Sequence, residues 1–264
     1  MFYQIEITTK CNYRCFYCAG REMKQQHMKQ DVFGDILKRL APGRHVVSLQ
    51  GEGEPTVHPR FWELVRQVVD RGYVPYTITN GSLIDPERAH QYFPSLGLSL
   101  DTLDAAEAER IGRLRLDQAL ARLDALAALM GGQRLVIHTV DYGQDLGPVK
   151  NFVKARGLRH IVQPLQRKAD YASRYPDRVP ETAEVTCAGG LCRYLSTPLM
   201  RYFNIKGIEF PCVYIKDPTE YRGIDDLRKR MADGVVPAVC RGCAEIPKAT
   251  ELRTVAWGAL PRRN

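Results

Sequence analysis

Short apolar runs alternate with longer amphipathic segments through the first two thirds of the chain. The apolar runs predict strands at residues 2–9, 45–50, 74–79, 96–101, 134–140 and 160–165. The segments between them predict helices near residues 31–40, 59–71, 86–93, 104–111, 116–130 and 146–156. Runs such as HVVSLQ and RLVIHTV suit parallel strands buried on both faces. The predicted fold class is therefore α/β, an incompletely closed, partial (β/α)6 barrel.

The pattern changes after the sixth strand–helix repeat. Residues 167–186 are polar and rich in turn formers, which predicts the edge of the barrel. The next apolar run predicts a β-hairpin that turns at Gly207, and a helix is expected near residues 223–233. We therefore predict two domains, a barrel at residues 1–170 and a small hairpin–helix domain at residues 171–264.

Composition excludes several classes of protein. The 264 residues suffice for one α/β core plus an appendage. The chain has no run of about 18 apolar residues and no export signal, so we expect a cytoplasmic protein with no membrane partner. Eight cysteines on such a chain favour metal ligation over disulfides. The net charge of +8 is scattered, which favours a solvated basic surface, and the arginines of residues 112–123 are expected on the exposed face of a helix.

Three cysteines, Cys11, Cys15 and Cys18, follow the first predicted strand with C-x3-C-x2-C spacing. In a parallel barrel this is the end of the strands that carries the chemistry. Three thiolates on one loop can hold three irons of a [4Fe–4S] cluster and leave the fourth iron open to a small molecule. Half of a zinc site and unrelated buried thiols are the alternatives, although zinc normally takes four ligands and His27 is the nearest further candidate.

This spacing, together with a Gly-Glu-Pro turn after the second strand, resembles the radical S-adenosylmethionine (radical SAM) superfamily. The resemblance implies that the open iron binds SAM and that the reduced cluster splits SAM into methionine and a 5′-deoxyadenosyl radical. It also implies that Gly53, Glu54 and Pro55 bind the SAM amino group, although Glu52 stands where the common motif has glycine. A glycine-containing turn lets backbone oxygens approach a cation, which agrees with this role.

Two further SAM contacts are implied by the same resemblance. The aromatic residue at the position of Tyr17 lies near the adenine in the family, and the stretch that contains Asn80 lies near SAM. Loop packing for Tyr17 and an ordinary turn for Asn80 are the alternatives.

Four polar residues are candidate SAM or substrate contacts because strand alternation directs them to one side of the barrel. Ser99 and Asp101 lie two apart at the end of the fourth strand, where they could bond a hydroxyl or carboxylate. His138 and Gln163 are expected in the interior on the fifth and sixth strands, and His138 is also a candidate for catalytic proton transfer. Strand-end capping and satisfied core positions are the alternatives.

The C-terminal segment predicts a second metal centre. Cys192, Gly207 and Cys212 fit the C-x9-15-G-x4-C pattern of the SPASM and shorter twitch extensions of the resembling family. Cys240 and Cys243 add a C-x2-C pair, so that four thiolates would close one auxiliary [4Fe–4S] cluster. A structural zinc ribbon is the alternative.

Cys187 remains as a fifth thiol in this segment. It is an alternative cluster ligand, a hydrogen-atom donor to a substrate radical as in radical epimerases, or an idle buried thiol.

The resemblance implies a radical SAM oxidoreductase or epimerase acting on a small polar substrate such as a sugar, an aminocyclitol or a nucleoside. The auxiliary cluster would accept an electron or hold the substrate, and flavodoxin or ferredoxin is the expected electron donor. Because the chain begins at the first barrel strand, no N-terminal peptide-recognition domain is expected. The alternatives are a maturase with a peptide or protein substrate and a non-enzymatic iron–sulfur or zinc protein that binds nucleic acid.

Overall fold

The computed structural model describes two compact units. The first contains Met1–Leu165 together with Arg201–Glu209, and the second contains the other described residues. The predicted boundary between residues 170 and 171 and the thiol of Cys187 lie outside the described part of the chain. The described residues are 1–165, 190–197, 200–215, 221–243 and 245–246.

The first unit contains all six predicted strand–helix repeats, and each element begins within two residues of its predicted start. Its strands are β1 (Phe2–Ile5), β2 (Val46–Leu49), β3 (Val74–Tyr76), β4 (Ile78–Thr79), β5 (Leu96–Ser99), β6 (Leu135–Asp141) and β7 (Arg159–Pro164). Its helices are α1 (Gln30–Arg39), α2 (Phe61–Asp70), α3 (Pro86–Tyr92), α4 (Ala105–Arg110), α5 (Leu116–Met130) and α6 (Gly147–Ala155). A local signal accounts for the start of α3, since Asp85 caps it by accepting a hydrogen bond from the Arg88 amide.

The third predicted strand is interrupted at Thr77, which separates β3 from β4. Strands β1, β2 and β3 pair in parallel in one sheet, and β4, β5, β6 and β7 pair in parallel in a second sheet. The Thr77 hydroxyl donates to the Leu49 carbonyl oxygen at 2.6 Å, and its own carbonyl oxygen accepts from the Gly97 amide at 2.9 Å. Thr77 thus joins the two sheets, and the strand order agrees with the predicted partial (β/α)6 barrel.

The predicted hairpin is present as β8 (Met200–Phe203) and β9 (Glu209–Phe210), which extend the first sheet beyond β1. Its turn contains Gly207 at a φ of 76°, a left-handed conformation that favours glycine. The Glu6 amide donates to the Phe203 carbonyl oxygen at 2.8 Å, which ties the hairpin to the chain that follows β1. Arg201–Glu209 are therefore counted with the first unit, although the sequence expectation placed them in the C-terminal domain.

Alternation along the strands separates a hydrophobic core from the barrel interior. Leu98 and Leu100 belong to the core that packs beneath the helices. Ser99 and Asp101 therefore point to the opposite face, the interior of the barrel. Ser99 lies in register with His138, so this face of the neighbouring strand β6 is polar as well.

The second unit is smaller and contains α7 (Arg193–Ser196) and α8 (Ile224–Ala232). Helix α8 confirms the helix predicted near residues 223–233. Within the described residues, every helix is too short or too polar to cross a lipid bilayer.

Candidate functional site

The thiols of Cys11, Cys15 and Cys18 line one cavity of about 260 Å³ in the first unit. The loop that carries them turns tightly, because the Cys18 amide donates to the Cys15 carbonyl oxygen at 3.1 Å. The side chain of Glu52 enters the same cavity. Three soft sulfur donors around one space of this size suit an iron–sulfur cluster.

The protons of these thiols must leave when a metal binds. Burial raises the pKa of the Cys11 thiol to about 11. Burial and the nearby Glu52 carboxylate raise the pKa of the Cys18 thiol well above its usual value. Because the thiolate is the ligand form, metal binding must drive the deprotonation.

The three thiols suit a cluster that contains several irons. Among the residues that the structure describes, no three His, Cys, Asp or Glu side chains converge closely enough to hold one metal ion. A [4Fe–4S] cluster instead binds each cysteine through a different iron, so its thiolates need not meet at one point. Three cysteines that line one cavity agree with this arrangement.

The Gly53 turn packs directly on the chain that enters the cysteine loop. The Glu54 amide donates to the Lys10 carbonyl oxygen at 2.9 Å. A Cβ atom on Gly53 would lie 2.5 Å from the carbonyl oxygens of both Thr8 and Lys10. Only glycine permits this approach, and the turn is held against the residues just before Cys11.

The two carboxylates of this turn point in different directions. Glu54 is 3% exposed, and its carboxylate accepts from the Thr56 amide at 3.1 Å, the Thr79 hydroxyl at 2.6 Å and the Asn80 amide at 2.7 Å. Burial raises the pKa of Glu54, although these hydrogen bonds oppose the rise. Glu54 therefore ties the ends of β2 and β4 together, and the carboxylate that enters the cysteine cavity is that of Glu52, whose Oε2 accepts from Cys18 Sγ at 3.7 Å.

Pro55 and Asn80 support the same region. Pro55 is buried at the first position of a 3-10 turn. The Asn80 side chain donates to Asn12 Oδ1 at 2.9 Å and accepts from the Ser82 amide at 2.9 Å. Since Asn12 lies between two of the cysteines in sequence, Asn80 links the end of β4 to the cysteine loop.

Asp101 is bound within the protein by an ion pair with Arg113. Their closest atoms, Arg113 Nε and Asp101 Oδ2, are 2.7 Å apart, and the two side chains are 12% and 0% exposed. The Tyr17 hydroxyl donates to the same carboxylate and accepts from Arg113 Nη2 at 2.9 Å. Asp101 Oδ1 also accepts from the Val140 amide at 2.8 Å. The pair therefore holds the Tyr17 hydroxyl at both its donor and its acceptor side.

An aromatic cluster lies beside the cysteine loop. The rings of Tyr17 and Tyr142 stack with centroids 5.8 Å apart, and Phe16 meets Tyr142 edge-on at 5.4 Å. The Tyr142 hydroxyl donates to Glu107 at 2.6 Å, which anchors the far end of the cluster to α4. One face of Tyr17 is therefore covered by protein.

His138 and Gln163 lie on the same face of their sheet, since Gln163 is in register with Val140, two residues after His138. His138 Nε2 lies 3.1 Å from the Tyr76 hydroxyl. Burial, together with the nearby His160 and Arg159, lowers the pKa of His138 to about 4, so the ring is neutral at pH 7. Gln163 is exposed on β7, in register with Val140.

Arg113, Asn12 and Tyr142 were not predicted as site residues. The expectation that the arginines of residues 112–123 lie on an exposed helical face is wrong for Arg113, which precedes α5 and is buried. A buried carboxylate at Asp101 needs a nearby cation. Residues 110–122 contain several arginines, and the sequence does not show which of them pairs with Asp101.

In the second unit, the four predicted cysteines line one narrow, apolar cavity of about 20 Å³. The Cys243 amide donates to the Cys240 carbonyl oxygen at 3.1 Å, which closes the C-x2-C turn. Tyr194 and Tyr214 cover part of this cavity and pack edge-on, with ring centroids 5.9 Å apart. The four thiols belong to Cys192, Cys212, Cys240 and Cys243.

Comparison with known families identifies the class of protein. Residues 5–155, more than half of the chain, match the family model of the radical SAM superfamily. The chain therefore belongs to the radical SAM superfamily, whose members use SAM and a [4Fe–4S] cluster.

Relatives in sequence match this chain over part of their length. The chain is 36% identical over 112 residues to the tungsten-containing aldehyde ferredoxin oxidoreductase cofactor-modifying protein of Pyrococcus furiosus, an alignment that covers 39% of this chain and 31% of that protein. It is 35% identical over 115 residues to an S-adenosylmethionine-dependent nucleotide dehydratase of a Thermoplasmatales archaeon, over 42% of this chain and 41% of that protein. The chain thus spans less than half the length of these two relatives.

Solved structures share the fold. SuiB of Streptococcus suis, bound to S-adenosylmethionine, matches with a TM-score of 0.62 and 14% identity over 88% of this chain and 67% of that chain. The protein anSMEcpe, with bound AdoMet and the Cp18Cys peptide, matches with a TM-score of 0.59 and 18% identity over 90% of this chain and 81% of that chain.

Proposed function

We propose that this chain is a radical SAM oxidoreductase or epimerase that removes a hydrogen atom from a small polar substrate, such as a sugar, an aminocyclitol or a nucleoside. The observation that carries the proposal is the single cavity lined by Cys11, Cys15 and Cys18 in a member of this superfamily. The bound cluster and SAM supply the 5′-deoxyadenosyl radical. The substrate lies in the barrel interior, where polar side chains face the space that the strands enclose.

The residues around the cavity have distinct roles in this proposal. Gly53 and Pro55 shape the turn against which the SAM amino group lies, and Glu52 supplies a carboxylate close to it. Tyr17 lies near the adenine, while Asp101 and Arg113 hold its hydroxyl. Glu54 and Asn80 act by bracing this region, because their polar groups are engaged by protein donors and acceptors.

The second unit is proposed to be a twitch-type domain with an auxiliary [4Fe–4S] cluster on Cys192, Cys212, Cys240 and Cys243. Their shared cavity supports this proposal. The auxiliary cluster accepts the electron left on the substrate or anchors the substrate. Flavodoxin or ferredoxin would reduce the first cluster, and Cys187 is the alternative ligand or hydrogen donor.

The activities named for similar proteins indicate which class of substrate to test first. The sequence relatives include nucleotide dehydratases and GTP 3′,8-cyclases, which favours a nucleoside-like substrate. A peptide maturase is the second candidate, because two proteins of similar fold were solved with peptides, SuiB with its precursor peptide SuiA and anSMEcpe with Cp18Cys.

Reductive cleavage of SAM tests the proposed function. The protein is reconstituted anaerobically with iron and sulfide, mixed with dithionite and SAM, and assayed for 5′-deoxyadenosine. We expect the product from the wild type and none from Cys15→Ala, which has lost a cluster ligand. Cys240→Ala is the matched control, since it removes a thiol from the other unit and should retain SAM cleavage. A reconstituted wild type that forms no 5′-deoxyadenosine would refute an enzymatic role.

A deuterium screen then separates the two candidate substrates. Label that moves from a deuterated sugar, cyclitol or nucleoside into 5′-deoxyadenosine supports the small-molecule reading. Transfer only from a peptide would establish the maturase instead.

A further inference from the structure

Five uncharged polar side chains form a continuous row on the interior face of the barrel strands. Gln50 Nε2 donates to Gln4 Oε1 at 3.0 Å, and Gln4 lies in register with Ser48. Ser48 lies in register with Tyr76, whose hydroxyl is 3.1 Å from His138 Nε2. We call these five residues the interior row.

Gly97 makes room for the contact between Tyr76 and His138 in the interior row. Gly97 lies on β5, between β4, which begins two residues after Tyr76, and β6, which carries His138. A Cβ atom on Gly97 would lie 2.8 Å from the Tyr76 hydroxyl and 3.1 Å from His138 Cδ2. The missing side chain leaves the space in which the two rings meet.

Three buried polar atoms of the interior row lack a hydrogen-bond partner within the described part of the chain. They are Ser48 Oγ, Gln50 Oε1 and His138 Nδ1. Buried polar atoms in folded proteins are almost always paired, because an unpaired group loses its bonds to water and gains nothing in return. Ser48 is fully buried, whereas the side chains of Gln50 and His138 are half-buried. Three such atoms in one row indicate a place that a ligand completes.

The hydrogen-bonding capacity of these atoms defines the ligand. In one tautomer of His138, the Tyr76 hydroxyl donates to Nε2 and the ring proton lies on Nδ1. In the other tautomer, Nε2 donates to the Tyr76 hydroxyl, which leaves both the hydroxyl proton and Nδ1 unpaired. The first tautomer leaves fewer unpaired groups, and we assign it here. His138 then offers a donor, Gln50 offers an acceptor, and Ser48 offers both. A hydroxyl group, which donates and accepts, matches this set.

The interior row carries no charge that would bind an anion. Burial raises the pKa of Tyr76 to about 12, and burial with neighbouring positive groups lowers that of His138 to about 4. Both rings are therefore neutral at pH 7, as are the two glutamines and the serine. The five side chains therefore offer a ligand hydrogen bonds and no formal charge, although a cation, Arg159, acts on both rings from nearby.

We propose that the interior row is the recognition site for an uncharged, hydroxyl-bearing part of the substrate. This inference deepens the proposed function and rests on it. It assigns substrate selection to Ser48, Gln50 and His138 in particular, with Gln4 and Tyr76 holding two of them in place.

The thermal stability of the substrate-free protein tests whether the unpaired atoms of the interior row are unused by the fold itself. Ser48→Ala removes an unpaired hydroxyl and should raise the thermal midpoint of the reconstituted protein by about 2–4 °C. Thr77→Val is the matched control, since its buried hydroxyl is paired with the Leu49 carbonyl oxygen and its loss should lower the midpoint. A fall with Ser48→Ala as large as that with Thr77→Val would overturn the proposal, because the hydroxyl would then support the fold.

Binding tests the choice of ligand. Saturation-transfer NMR on the holoenzyme with SAM uses myo-inositol as the neutral probe and inorganic triphosphate as the anionic probe. We expect an inositol signal that falls at least about fivefold, or about 1 kcal/mol, in Gln50→Leu and in His138→Phe, and a triphosphate signal that neither substitution changes. An inositol signal that both variants retain would mean that ordered water satisfies these atoms, and the proposal would fail. SAM cleavage by the wild type is measured separately, so the proposed function and this inference can fail independently.

Discussion

Arg113 and Asp101 form a buried ion pair, 2.7 Å apart, that fixes the Tyr17 hydroxyl beside the cysteine loop. The pair joins the end of β5 to the segment between α4 and α5. That segment in turn receives the cysteine loop, because the Arg14 amide donates to the Gly112 carbonyl oxygen at 3.0 Å. The loop that carries the thiols is therefore braced by a charge that lies far from it in sequence.

Replacing Arg113 alone should be costly. Arg113→Met leaves the Asp101 carboxylate buried without its cation, and we expect a loss of about 3–5 kcal/mol in the free energy of unfolding, measured by urea denaturation. The double variant Arg113→Met/Asp101→Asn should lose less, because a neutral amide needs no counter-ion. Lys38→Met, which breaks the exposed pair with Asp35, should cost about 0–1 kcal/mol. Equal losses for the single and double variants would show that the charge pairing is unimportant.

Two glycine substitutions should have opposite effects. Gly53→Ala places a Cβ 2.5 Å from two carbonyl oxygens, so it must displace the turn from the cysteine loop. We expect about 1–3 kcal/mol lower stability and weaker SAM binding, measured by urea unfolding and by titration of the reconstituted protein. Gly34→Ala in helix α1 meets no atom within 4 Å and should raise stability by about 0.5–1 kcal/mol. A tolerated alanine at Gly53 would contradict the close packing of this turn.

Periodicity along the chain was sufficient to predict the repeats, because the apolar positions of each strand and helix recur with its own local period. The shared cavity of the three N-terminal thiols also follows from local spacing. The direction of the Glu54 side chain does not, because it depends on donors at Thr79 and Asn80, which only the folded sheet brings near. The pairing of Asp101 with Arg113 is likewise set by packing between segments, and an arginine in an amphipathic stretch gives no local sign of it.

The carboxylate of Glu52 should lower the reduction potential of the first cluster. It enters the cysteine cavity beside Cys18, where a negative charge disfavours the addition of an electron. Glu52→Gln should raise the midpoint potential by roughly 40–60 mV, on the order of 1 kcal/mol for one electron. Redox titration followed by EPR measures the shift. Glu63→Gln, at an exposed position of α2, is the control and should leave the potential unchanged.

Iron content should distinguish the two metal centres. If both cavities hold cubanes, the wild type contains about eight irons per chain, and Cys15→Ala and Cys240→Ala each contain about four. Both counts come from iron and zinc analysis of the anaerobically reconstituted proteins. About four irons with one zinc in the wild type, and zinc lost in Cys240→Ala, would assign the second unit to a structural zinc site instead.

The neutral ring of His138 should make the fold sensitive to acid. Its pKa is about 4 in the folded protein and about 6.5 in an unfolded chain. Between these values the unfolded chain binds more protons, so this contribution to stability is present above about pH 6.5 and is lost as the pH falls towards 4. The loss is at most about 3 kcal/mol.

Urea unfolding of wild type and His138→Gln between about pH 5 and 7.5 should give a smaller pH dependence for the variant. His90→Gln, which changes an exposed histidine, should keep the wild-type slope. Parallel slopes for wild type and His138→Gln would show that His138 titrates equally in the folded and unfolded chain.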